Sequence, residues 1–130
     1  MNRSVPENRD LFAIADLAKE FGISTRAIRF YEAKGLLAPE RVGATRIFRR
    51  RDRARLILIL RGKRLGFSLR DISDYLSLYD ANRSQLVHLL TAKVDERLAS
   101  LEGQLLDLQT TIAELREIKK LADERLVKAG

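Results

Sequence analysis

The sequence predicts a mostly α-helical protein, a winged helix-turn-helix domain followed by a long helix built for a coiled coil. Three observations predict it. Two short amphipathic patterns flank a turn, Gly22-Ile23-Ser24, of the length that joins the helices of a helix-turn-helix. The segment from Arg26 to Arg64 holds 13 basic and 3 acidic residues, out of 25 and 18 in the whole chain of 130. An apolar residue then recurs at alternating four- and three-residue steps far along the C-terminal third.

The elements follow in order. Residues 1–10 are polar and read as a flexible arm. Residues 11–80 form the candidate binding domain. In it Ile14, Leu17, Ala18 and Phe21 share one face of a short helix. Gly22 permits the turn that a Cβ would hinder, and Ser24 is placed to cap a second helix. Ala27, Ile28 and Tyr31 give that helix an inward face, Gly35 ends it, and Arg26 and Arg29 lie on its outer side. Arginines there reach base edges or phosphates when a helix sits in a major groove.

Two short extended runs around Gly43, within Leu36–Arg49, read as a hairpin lined by Arg41, Arg46 and Arg49. Strand alternation puts Arg46 and Phe48 on one face and Ile47 on the other. Arg51–Leu65 is a third helix, with Ala54, Ile57, Leu58 and Arg61 on one side and Leu56, Ile59 and Leu60 widening the apolar stripe. Gly66 ends it, and Phe67 fills the gap to a fourth helix. Ser68 and Asp71 have the spacing of a capping box for that helix, whose inner face is Ile72, Leu76 and Tyr79.

Residues 84–128 read as one uninterrupted helix. Val87, Val94, Leu98, Leu101, Leu105, Leu108, Ile112 and Leu115 make a heptad seam, with Thr91, Lys119 and Ala122 filling other seam positions and Leu126 returning to the frame. At 1.5 Å per residue such a helix spans roughly 60 Å. A small domain cannot cover so long and thin a stripe, so the seam predicts a homodimer closed by Val94, Leu98, Leu101, Leu105, Leu108, Ile112 and Leu115.

Charge and composition narrow the function. Residues 1–82 hold 17 basic and 10 acidic side chains, whereas residues 83–130 hold 8 of each. Charge so concentrated resists compaction unless a polyanion meets it, so double-stranded DNA is the expected partner. The chain has no cysteine and one histidine, His88. That excludes disulfides, thiolate zinc, iron–sulfur clusters, a cysteine nucleophile and a histidine metal cluster, so neither a metal nor another cofactor is expected. No histidine–carboxylate pair or glycine-rich phosphate loop suggests an enzyme. No stretch is apolar for the ~20 residues of a membrane span and the N-terminus has no apolar leader core, which reads as cytoplasmic, nucleoid-associated. The rivals to a sequence-specific regulator are a non-specific architectural DNA binder and a small excision-type factor, and the long helix argues against the latter.

The first domain resembles the MerR (mercury-resistance regulator) family. The resemblance runs through Phe12-Ala-Ile-Ala-Asp-Leu-Ala18, Gly22-Ile-Ser24, Thr25-Arg-Ala-Ile-Arg-Phe-Tyr-Glu32, Gly35-Leu-Leu37, Pro39, Gly43, Arg46, Phe48 and Asp52, then Arg64-Leu-Gly-Phe-Ser-Leu69 and Ile72. It implies a dimer, paired through an antiparallel coiled coil, on a pseudo-palindromic promoter whose spacer is bent and untwisted, with RNA polymerase as a further partner. It also implies that Arg26, Arg29 and Tyr31 lie near the major groove or its backbone, and that Arg46, Phe48 and Arg49 meet the backbone. The family's wing tyrosines are replaced by Thr45 and Phe48, which removes two hydroxyls that could bond phosphate.

Within the family, Thr45-Arg-Ile-Phe48 with Leu58-Ile-Leu-Arg-Gly-Lys-Arg-Leu-Gly-Phe-Ser-Leu69 is similar to the LiuR-type branch. That likeness implies control of branched-chain amino acid or fatty acid catabolic genes by an organic metabolite such as an acyl-CoA; a regulator without an effector is the alternative. The missing cysteines exclude the metal-sensing branches, and the 15 residues after Leu115 leave no room for a drug-sensing domain. An effector pocket is therefore expected at the root of the long helix, from Leu76, Tyr79, Arg83, Leu86 and His88 around Asp80-Ala81-Asn82-Arg83.

Overall fold

A computed structural model describes residues 10–79 and 81–129. The rest of the expected arm, residues 1–9, and Asp80 of the expected turn lie outside the described residues. The elements are β1 (Leu11–Phe12), α1 (Ile14–Phe21), α2 (Thr25–Ala33), β2 (Glu40–Val42), β3 (Thr45–Arg49), α3 (Arg50–Leu65), α4 (Leu69–Tyr79) and α5 (Arg83–Ala129). Contacts divide the chain between Val87 and His88. The boundary falls inside α5 rather than before it, and Leu86 in its opening turn is buried.

Local chemistry places the first unit's elements. Gly22 closes α1 in the left-handed region at φ 66°, and its N–H donates to the Ala18 carbonyl. Ser24 Oγ accepts from the Ala27 N–H at 3.0 Å, starting α2. In the hairpin Val42 faces Thr45, leaving Gly43 and Ala44 as a two-residue turn. Gly43 holds φ 63° and no non-glycine residue among those described has positive φ, the pattern of a type II′ connection. Asp71 and Ser68 cap α4 reciprocally, the Asp71 N–H donating to Ser68 Oγ at 3.0 Å and the Ser68 N–H to Asp71 Oδ2 at 3.4 Å. Asn82 Oδ1 accepts from the Gln85 N–H at 3.0 Å at the start of α5.

The hairpin gains a third strand that periodicity did not reveal. β1 pairs antiparallel with β3, Leu11 opposite Arg49 and Phe12 opposite Phe48, giving the order β1-β3-β2. Leu36 and Leu37, expected in an extended run, instead leave α2 as buried core residues. The core joins Phe12, Leu17, Ile28, Tyr31, Phe48, Leu56, Ile59, Ile72 and Leu76 with their neighbours. A Leu or Ile fully buried there contributes about 1.5–3 kcal/mol.

α3 is phased differently from its expected face. Asp52, Leu56 and Ile59 are its buried residues, while Ala54, Ile57 and Leu58 are half-buried and Arg61 is exposed. The cause is Asp52, whose carboxylate accepts the Arg49 N–H at 2.8 Å and turns the 52–56–59 row inward. Gly62 lies on this helix where a Cβ would come within 2.8 Å of Ile72 Cγ1, so α3 and α4 meet at a residue with no side chain. Arg53 ties α3 to α1 through hydrogen bonds to Glu20, with its guanidinium 5.6 Å from the centre of the Phe21 ring.

In the second unit α5 continues as helix to Ala129. The heptad seam lies on its surface, with Val94 37%, Leu101 41%, Leu105 55% and Leu108 60% exposed. Leu98, Ile112 and Leu115 are exposed in the same way. Among the described residues no helix is long and apolar enough to cross a membrane.

Candidate nucleic-acid interface

The turn between α1 and α2 puts the first half of α2 on the surface. Arg26 and Arg29 are both exposed there, while Ile28, between them in sequence, is fully buried. Arg29 Nη1 donates to Thr25 Oγ1 at 3.3 Å, one turn back, which aligns its guanidinium along the helix. Neither arginine faces an acid among the described residues. Phe30 adds a 45% exposed ring, with Lys34 Nζ 5.5 Å from its centre.

Two expected contacts are corrected. Tyr31 is 7% exposed and belongs to the core, its ring edge-on to Phe30 at 5.8 Å between centres. The same 3.6-residue turn that exposes Arg26 and Arg29 carries Ile28 and Tyr31 inward. Phe48 has no exposed surface. It lies opposite Phe12 of the neighbouring strand β1, and both rings belong to the core.

The wing arginines are all paired with acids. Arg46 Nε donates to Glu32 Oε1 at 2.5 Å, and Arg41 Nη2 to Glu32 Oε2 at 3.0 Å. Arg46 is only 22% exposed at its side chain. Arg49 Nη2 donates to Glu40 Oε1 at 2.5 Å from an exposed position. Burial pushes the Glu32 carboxyl up, but the hydrogen bonds and positive charges of Arg46 and Arg41 outweigh it, leaving the group below its ordinary value of 4.5. Glu32 is therefore ionised at neutral pH and clamps β2 and β3 onto α2. Arg55 braces the wing's root from the other side, its Nε donating to the Leu36 carbonyl at 3.2 Å.

The expected DNA contacts do not include the cations at the end of α3. Arg61, Lys63, Arg64 and, on α4, Arg70 are exposed and have no ion-pair or hydrogen-bond partner among the described residues. The signal available was their spacing around Gly66 with no acid in the preceding turns of α3 after Asp52. Of the residues expected around an effector, Leu76 and Leu86 are buried, Tyr79 is half-buried beside Tyr75 at 6.2 Å between ring centres, and Arg83 and His88 are exposed.

A helix-turn-helix with exposed arginines outward, flanked by a basic hairpin, defines a DNA-binding domain. The chain matches the profile of the MerR HTH family regulatory proteins over residues 12–78 and the MerR DNA-binding profile over residues 53–118. It is 34% identical over 107 residues to a probable heavy metal-dependent transcriptional regulator of Haemophilus influenzae, spanning 79% of this chain and 81% of that one. Over 99 residues it is 28% identical to the HTH-type transcriptional regulator CueR of Salmonella typhi, spanning 75% and 71%. Among solved structures it is similar to HiNmlR, a MerR family regulator lacking the sensor domain, bound to promoter DNA. That match has a TM-score of 0.52 and 29% identity over 82% of this chain and 76% of that one. The chain belongs to the MerR family of DNA-binding transcription regulators.

Proposed function

We propose that this chain is a homodimeric regulator that reads a specific promoter sequence. The observation that carries the reading is the outward face of α2, where Arg26 and Arg29 stand exposed with no acid to hold them among the described residues. Arg26 and Arg29 read base edges, and Arg46 and Arg49 meet the backbone from the positions in which Glu32 and Glu40 hold them. Arg61, Lys63, Arg64 and Arg70 add phosphate contacts. Selection of duplexes from a random pool, followed by footprinting, tests this. Enrichment of a two-fold-symmetric site is expected; equal binding to selected and scrambled duplexes would favour a non-specific architectural role. Salt dependence gives a second measure, with log K falling against log salt with a slope of magnitude roughly 6–10 per dimer.

The dimer is proposed to close antiparallel through Val94, Leu98, Leu101, Leu105, Leu108, Ile112 and Leu115, exposed along α5. Replacing Leu101 and Leu108 together with Glu places charge in that seam and is expected to give monomers in sedimentation. An unchanged dimer would move the interface elsewhere.

For regulation, we infer an organic effector. Relatives are named for mercury or heavy metals, but this chain has no cysteine and one histidine. The likeness to the LiuR-type branch supports an acyl-CoA and catabolic target genes, and RNA polymerase is the downstream partner. Tyr79 and Arg83 are the proposed contacts. Titrating the protein–DNA complex with isovaleryl-CoA, longer acyl-CoAs and free CoA tests it. A response to thioesters no greater than to free CoA would remove the acyl-CoA, and a response that survives Arg83→Ala and Tyr79→Ala would remove those contacts.

A further inference from the structure

Cations in the first unit are sorted into two populations. Arg26, Arg61, Lys63, Arg64 and Arg70 are exposed without an acid partner among the described residues. Arg41, Arg46 and Arg49, all in the hairpin, are each bonded to a carboxylate. The Glu32 cluster is the more enclosed of the two hairpin pairings. One carboxylate, 20% exposed, receives both Arg41 and Arg46, so two arginines present a net charge of one. Glu32 itself stands on α2, the helix that carries Arg26 and Arg29.

We infer that Glu32 is a specificity-determining residue of this DNA-binding surface, holding Arg41 and Arg46 so that they cannot seek out phosphates on arbitrary sequences. The inference rests on the DNA-binding reading above. Phosphate contacts carry no sequence information, and each loose cation strengthens binding to every duplex. Long, mobile guanidinium groups benefit mismatched complexes most, because they find a phosphate whatever the register. Fixed to α2 by charge-assisted bonds, the same groups take one position relative to the reading helix. On a matched site that position is already organised, and on a mismatched site it cannot adapt. Glu32 thus lowers random-sequence affinity in two ways, by neutralising one charge and by fixing two side chains.

The test compares wild type, Glu32→Gln and Arg41→Gln on a selected duplex and on a scrambled duplex of the same composition, across a salt series. Gln keeps an acceptor oxygen for the hairpin while removing the charge. Glu32→Gln is expected to bind scrambled DNA several-fold tighter, with a salt slope steeper by about 2 per dimer, one charge from each protomer. Affinity for the selected duplex is expected to change less, so the ratio of the two falls. Equal losses on both duplexes would make Glu32 a mere anchor for the hairpin and overturn the inference, as would no change on either. Thermal unfolding shows whether the variant folds. If it does not, Arg41→Gln carries the test: with Arg41 held off arbitrary phosphates, the variant is expected to weaken the selected duplex by a larger factor than the scrambled one; a loss at least as large on scrambled DNA would overturn the inference. Wild type binding both duplexes alike would instead overturn the sequence-specific reading, and the slopes on scrambled DNA would still report on Glu32.

Discussion

The reading helix and the wing differ in how they hold their arginines. On α2, Arg26 and Arg29 project from a surface turn and meet at most a hydroxyl, Thr25 Oγ1. On the hairpin, Arg41, Arg46 and Arg49 all meet carboxylates, two of them on the same Glu32. The first arrangement leaves donors free to search base edges. The second fixes donors in place and couples the hairpin to the helix. Basic composition alone does not distinguish them, although their consequences for DNA are opposite.

The largest expected effect breaks the wing at its root. Phe48 is the fully buried residue that seats β3 in the core. Phe48→Ala is expected to cost about 3–5 kcal/mol of stability in chemical denaturation. A loss below ~1 kcal/mol would mean the hairpin is not anchored there.

An intermediate effect sharpens the comparison on DNA. Arg26→Ala and Arg29→Ala are each expected to lose ~1–3 kcal/mol of discrimination between selected and scrambled duplexes. Arg46→Ala is expected to weaken the selected duplex more than the scrambled one, but to lose less discrimination than either helix variant, because its backbone contact reads register and not bases. Equal losses on both duplexes for the helix variants would merge the two classes of arginine into one.

The smallest expected effect is on the clamp, through pH. Glu32 has a lowered folded value, so its contribution is fully present above its unfolded value near 4.5 and is lost as pH falls through the folded one. The hairpin amides are expected to stay protected from hydrogen exchange between pH 7 and pH 5 and to lose protection in acid below that range. Glu32→Gln is expected to lack this acid-dependent component. A wild-type profile that coincides with the variant's would show that the pair contributes nothing to docking.

Sequence order made the local features legible and left the distant ones hidden. Ser24, and Ser68 with Asp71, act across three residues, and their caps form at the expected places. Gly22 and Gly66 end helices at positive φ, again a local requirement. β1 spans two residues, too few for an alternating pattern to stand out. In α3 the run Leu56-Ile-Leu-Ile-Leu60 is apolar on every side, so period alone could not choose the face that Asp52 chose. The Arg41–Glu32 and Arg46–Glu32 pairs cross 9 and 14 residues and depend on how the hairpin folds over α2. Tyr31 and Phe48 were misread for the related reason that a family motif marks positions without saying whether a ring points into the protein or out of it.

The bare backbone at Gly62 lies among exposed cations of α3. Ile72 of α4 packs into the space its missing methyl leaves, so the gap between α3 and α4 is set by the width of a glycine. Arg61, Lys63 and Arg64 border that contact on one helix, and Arg70 approaches it on the other. A single added carbon, uncharged and buried, would force Ile72 aside and spread those cations. An apolar change in the interior would then be felt as an electrostatic one at the surface, making Gly62 a spacer between two helices that both carry exposed cations.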